Sequence, residues 1–204
     1  MQTIIKNSLE NSYSYSEYRN QVTSLLRQGK VTGLEQSEAL ANYTALNEAR
    51  MNRLEKTIAL TEQVKIALST LKTKYIWLVI SEGWCGDAAQ LLPIMHKMAE
   101  FSENIEMRVA LRDENEELMN LFLTNGGKAI PKLVVIDAET NTVLGDWGPR
   151  PLGAKNLIID YKATHGVVDE TAKTELQKWY LQDKGVSTQT EILLLIEQQE
   201  SQLV

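Results

Sequence analysis

The chain is poor in the residues that carry most chemistry. Its 204 residues include one cysteine, Cys85, and two histidines, so no internal disulfide can form and no zinc-site spacing occurs. His96 and His165 stand alone, and no metal ligand set or cofactor is expected. Lysine and arginine number 21 against 27 acidic residues, a net charge of −6, and that deficit argues against nucleic acid as a partner. No apolar run approaches the length that spans a bilayer, so no membrane partner is expected. The opening MQTIIKNSLENSYSY lacks a basic region followed by an apolar block, which predicts no secretory signal and a cytoplasmic location. No repeat, low-complexity tract or phosphate-cradling glycine loop is present, and Gly126-Gly127 reads as a helix stop.

What is present centres on Tyr75 to Glu100. The bulky apolar run from Tyr75 to Ile80 predicts a strand buried on both faces. Ser81, Glu82 and Gly83 read as a short turn. From Cys85 the period changes, and Ala88, Leu91, Leu92, Met95 and Ala99 mark the stripe of a core-facing helix. Cys85 is thus predicted at the start of a helix, where unpaired N–H groups and the helix dipole favour a thiolate.

Trp84-Cys85-Gly86 in this setting resembles the active-site approach of thioredoxins. Pro93, eight residues after the cysteine, matches their helix-kinking proline, and Pro131, 46 residues after it, matches their cis-proline before a strand. The string Trp84 to Ala88 is similar to bacterial single-cysteine thioredoxin-like proteins reading Trp-Cys-Gly-Asp-Ala. The resemblance runs roughly from Lys74 to Gly148. It implies an α/β, thioredoxin-like fold with a mixed sheet of about four strands. It also implies that Ala88 stands where the resolving cysteine would be, and Val79 where a buried Asp would help protons leave. Ordinary dithiol turnover is therefore excluded.

Around this core, residues 73–150, the chain reads as helical. The N-terminal extension, residues 1–72, holds a helix over Glu17 to Gln28 and a long region from Leu34 to Leu71 that is two helices or a bent one. Thr3 to Ile5 reads as a stub of strand. Alternation over Ile105 to Leu111 predicts a half-exposed strand near an edge, and the resemblance implies that it is outermost, because the first strand that flanks it in thioredoxins is missing. Asp113 with Glu116, and Thr188 with Glu191, read as capping boxes. Pro131 to Asp137 and Thr142 to Trp147 read as a hairpin. Residues 151–204 form C-terminal helices packing on the core, at Leu152 to His165, Asp169 to Lys184 and beyond Thr188. The apolar run Ile192 to Ile196 needs cover from the domain or from a second copy, a homodimer through the terminal helices.

Two functions follow. In the first, Cys85 is the nucleophile of monothiol thiol-disulfide exchange, or forms a mixed disulfide with glutathione, that an external thiol resolves. Trp84, Gly86, Asp87, Ile130 and Pro131 then shape the contact with a protein or low-molecular-weight thiol or disulfide. In the second, the chain is a redox-inactive binding or adaptor module that keeps the fold's peptide groove. Oxidative sensing through a sulfenic acid or a Cys85–Cys85 bond is a third use of the thiol. Cys85 is expected to be accessible, with a pKa modestly depressed because Asp87 opposes the helix start. Asp87 is either a tuner of that pKa or, the reading preferred here, an acid satisfying the helix dipole. Trp84 is expected to be a partly exposed lid and Trp147 to serve packing. Arg50 and Arg53 are read as a solvated face that could alternatively lean toward Cys85.

Overall fold

The computed structural model describes residues 1–202. Five strands form one mixed sheet in the order β1-β3-β2-β4-β5. β2 (Tyr75–Ser81) is central, parallel to β3 (Ile105–Leu111) and antiparallel to β4 (Lys132–Asp137), which pairs antiparallel with β5 (Val143–Trp147). Val79 sits midway, opposite Val109 on one side and Leu133 on the other, and all three are fully buried. The unbroken apolar run of β2 is explained by that position, since a strand flanked and covered on both faces has no side that water can reach.

The N-terminal segment differs from expectation. Thr3 to Ile5 is not a strand but part of α1 (Gln2–Glu10), which packs on β3 through buried Ile5 and Ser8. The strand comes later and is two residues long: β1 (Tyr13–Ser14) pairs with Arg108 and Val109. β3 is therefore not outermost, and the sheet has five strands rather than four. A two-residue strand carries no readable period; tertiary contact makes it, because the Arg108 guanidinium donates to the Ser12 hydroxyl and carbonyl.

Ser14 also caps α2 (Tyr15–Arg27) in a reciprocal capping box with Glu17. The long helical region divides into α3 (Glu38–Thr57) and α4 (Glu62–Ser69). The break is made from both ends of the chain. Thr61 caps α4 by accepting from the Val64 N–H, and Gln189 donates to the Ala59 carbonyl while accepting the Thr61 N–H. α5 (Gly86–Phe101) runs without interruption through Pro93 and packs against α3, α4 and β3. After it come α6 (Glu116–Leu121), α7 (Leu152–His165), α8 (Glu170–Asp183) and α9 (Val186–Gln202).

Two expected capping boxes do not form. Asp113 takes the Arg112 guanidinium and the Leu34 N–H, Glu116 pairs with Lys128, and Asn115 precedes α6 without a side-chain cap. Thr188 lies buried inside α9, and Glu191 accepts from the Trp147 indole at 2.8 Å and the Leu152 N–H at 2.8 Å. The S/T/D-x-x-E pattern names side chains able to cap, and here stronger tertiary donors claim the carboxylates. Trp147 accordingly does more than pack, since its N–H ties β5 to α9. Most of the run Ile192 to Ile196 is covered within the chain: Ile192, Leu193 and Ile196 are buried and α9 contacts α4, α5 and β5, while Leu194 is exposed.

The Ile130–Pro131 peptide is cis, as the resemblance implied, and so is Gly148–Pro149. Gly148 lies against Pro131: at φ +118°, a Cβ placed on it would come within 2.5 Å of the Pro131 carbonyl oxygen. Only glycine reaches that backbone region without strain. Gly148→Ala is expected to destabilise the fold by about 2 kcal/mol or more in urea denaturation; an unchanged midpoint would contradict this contact.

Candidate functional site

Cys85 sits at the junction of β2 and α5 as the helix's N-cap. Its Sγ accepts the Ala88 N–H at 3.4 Å and donates its own proton to the Ile130 carbonyl at 3.4 Å. The helix start and the peptide before Pro131 therefore meet at one sulfur. The turn beneath it is held by a side chain from the α2–α3 loop and one from α3. The Thr32 hydroxyl accepts the Gly83 N–H at 2.8 Å, and Asn47 of α3 donates to the Gly83 carbonyl at 3.0 Å. Gly83 fits closely, since Val22 of α2 lies 3.0 Å from where a Cβ would stand.

The environment of the sulfur reverses the expected direction of its pKa. Cys85 is only 8% exposed, and burial pushes the thiol up to about 12, with the Asp87 carboxylate adding to the rise. The N–H groups of Ala88 and Asp87 and the Arg150 charge pull the other way, as a helix start should, and they lose. The mechanism anticipated for lowering the pKa is present; covering the site outweighs it. At neutral pH the resting sulfur is a protonated thiol.

Asp87 beside it is itself fully engaged. Its Oδ2 takes Arg150 through Nε at 2.8 Å and Nη2 at 2.6 Å, and its Oδ1 accepts from the Tyr180 hydroxyl at 2.9 Å. It is thus neither a free tuner nor merely a dipole acid, but the joint between α5, the turn after β5, and α8. Burial and that carboxylate push the Tyr180 hydroxyl well above its usual pKa, while the same carboxylate holds the Arg150 guanidinium charged against its burial.

The remaining predicted residues fall into place around the joint. Trp84 is half-buried, with the Arg112 guanidinium 4.7 Å above its ring and Nε1 3.3 Å from the Cβ position of Gly33. Gly86 faces α3, where a Cβ on it would stand 3.7 Å from Arg50 Nη1 and 3.7 Å from Tyr43. Arg50 therefore leans toward the site, contrary to the solvated-face reading, whereas Arg53 is exposed. Ile130 and Pro131 are buried.

Sequence reasoning missed three residues. Arg150 and Tyr180 gave no signal, because their role is fixed by contacts 63 and 93 residues away. Glu82 was read into a turn, yet it is fully buried. Its Oε1 accepts the Asp113 N–H at 2.9 Å, and burial raises its pKa. Among the described residues, no group of three His, Cys, Asp or Glu gathers to hold a metal ion, and no helix is long and apolar enough to cross a membrane.

A thioredoxin family model matches residues 33–162. The chain belongs to the thioredoxin family. The match begins ahead of α3 and ends within α7, so it reaches well outside the Lys74 to Gly148 stretch that the motifs mark. No curated protein matches the chain. Among solved structures, an HIV epitope scaffold is 20% identical with a TM-score of 0.57, and a protein of unknown function from Pseudomonas aeruginosa is 19% identical with a TM-score of 0.55. Each alignment covers 91% of this chain and 98% of the other. At that identity the likeness carries the thioredoxin-like fold and nothing of function.

Replacing Asp87 tests the electrostatics of the family cysteine. Asp87→Asn removes the carboxylate that opposes the thiolate and frees Arg150 to favour it. Alkylation of native Cys85 at fixed pH is expected to accelerate by about tenfold, the equivalent of one pKa unit; a rate unchanged or slower would contradict the assignment.

Proposed function

We propose that the chain is a monothiol thioredoxin-fold protein in which Cys85 forms a mixed disulfide with an incoming disulfide, from glutathione or from a protein. The observation that carries this reading is the convergence on one sulfur of the Ala88 N–H and the Ile130 carbonyl, each 3.4 Å away. An N–H donor at a helix start stabilises the thiolate when the proton leaves, and the family resemblance implies that a partner would approach along the backbone beside Pro131.

The chemistry balances without an added cofactor. The Cys85 thiol gives its proton to water, and the thiolate attacks one sulfur of the incoming disulfide. A Cys85 Sγ–S bond forms, the old S–S bond breaks, and the other half leaves as a thiolate that takes a proton. Cys85 is oxidised as the leaving sulfur is reduced. Ala88 offers no second thiol, so an external thiol must attack the mixed disulfide and restore Cys85. A reducing compartment such as the cytoplasm would supply one.

The second reading is a binding module of the same fold without turnover. The burial of Cys85 and its upward-shifted pKa favour it, since exchange rates follow the thiolate fraction. Oxidised glutathione and intact mass separate the two. Exchange predicts one glutathionyl adduct on the native protein, forming faster as the pH rises. No adduct on the native protein, with ready modification of the urea-unfolded chain, would overturn exchange in favour of the binding module.

A further inference from the structure

Of the chain's seven arginines, Arg19, Arg108, Arg112 and Arg150 each form an ion pair with a carboxylate. Arg27 is exposed at the end of α2. Arg50 and Arg53 of α3 form no ion pair among the described residues, although acidic side chains outnumber basic ones. Arg50 is half-buried, and its Nη1 donates only to Asn47, at 2.9 Å. Burial, the largest influence, presses its pKa down with help from the charge of Arg53, and Tyr43 and Asp87 oppose without reversing it. The carboxylate of Asp87 is already occupied by Arg150 and Tyr180.

These two arginines line a groove of about 400 Å³ between α3 and α8. Its floor is Gln90 of α5, buried and bonded to Gln177 of α8 at 2.6 Å. Leu46 and Leu181 supply apolar wall, and no Asp or Glu lines it. A half-buried guanidinium without a counter-ion, in a groove with apolar walls, is an unfilled half of an ion pair. Its planar fork of donors suits a carboxylate or phosphate oxyanion taken two oxygens at a time. The groove also points toward the thiol's neighbour: Gln90 lies one turn along α5 from Gly86, and Arg50 Nη1 reaches to 3.7 Å of the Cβ position there.

We propose that the groove between α3 and α8 binds a small oxyanion through Arg50 and Arg53, and that this oxyanion belongs to the low-molecular-weight disulfide that Cys85 engages. The second clause rests on the exchange reading; the first does not.

Two probes test it on the full chain by calorimetry: S-methylglutathione, which presents two carboxylates and cannot exchange, and inorganic phosphate. At least one is expected to bind, weakening as salt is added, and the tighter of the two names the anion class. The double variant Arg50→Gln, Arg53→Gln should weaken binding by about tenfold or more. Thr174→Glu, an exposed change on the opposite wall that leaves both arginines in place, should do the same by setting a carboxylate in the groove. Binding by neither probe, or binding that survives both variants, overturns the site. The glutathionyl adduct keeps the two proposals apart. Arginine-dependent binding without any adduct leaves the anion site and removes its link to Cys85. Adduct formation at an unchanged rate in the double variant removes the link while leaving exchange intact.

Discussion

One carboxylate holds the functional end of this molecule together. Asp87, in the first turn of α5, carries a bidentate Arg150 on one oxygen and the Tyr180 hydroxyl on the other. Three parts of the chain meet there: the cysteine helix, the turn leaving the sheet, and a helix of the C-terminal region. The carboxylate is 11% exposed and Arg150 30%. Breaking a pair so enclosed costs on the order of a few kcal/mol, because the partner left behind is a poorly solvated charge. The same arrangement fixes the state of the sulfur. It sets a negative charge beside Cys85, which adds to the burial that keeps the thiol neutral.

Two sets of forces act on that thiol with opposite sign. Backbone N–H groups at the start of α5 and the Arg150 charge favour the thiolate. Burial and Asp87 oppose it, and they prevail. A cysteine at a helix start is therefore insufficient to predict a reactive nucleophile; the cover over it decides. The motif alone pointed the other way because burial is a property of the assembled fold, not of the strand-to-helix turn.

The landmarks of the fold were legible because each rests on local chemistry. The run Tyr75 to Ile80, the Cys85 helix stripe, and the stops at Gly166 and after Asp183 appear where residue type and spacing place them, and the cis peptide before Pro131 where the family resemblance implied it. The failures have a common cause. Asp113 and Glu191 had capping partners in sequence, but the Leu34 and Leu152 N–H groups, far away in sequence, claimed them. Ser14 with Glu17 presented the same pattern, met no competitor, and formed the box. Glu82, Arg150 and Tyr180 lay beyond sequence reasoning altogether, since burial of a turn carboxylate and ion pairs across 63 residues are properties of the assembled fold. The N-terminal region supplies Thr32, from the loop before α3, and Asn47 of α3 to the turn that presents Cys85. The family match from residue 33 takes in α3 and α4, while α1 and α2 lie ahead of it.

The central claim is that the folded chain keeps its single thiol protonated at neutral pH despite a helix start aimed at it. The most direct measurement is the ultraviolet absorbance of the thiolate, followed against pH as the difference between the native protein and Cys85→Ser. The account predicts no thiolate signal through the neutral range and its appearance only in strong alkali, toward the value of about 12. A thiolate step near neutrality would contradict it.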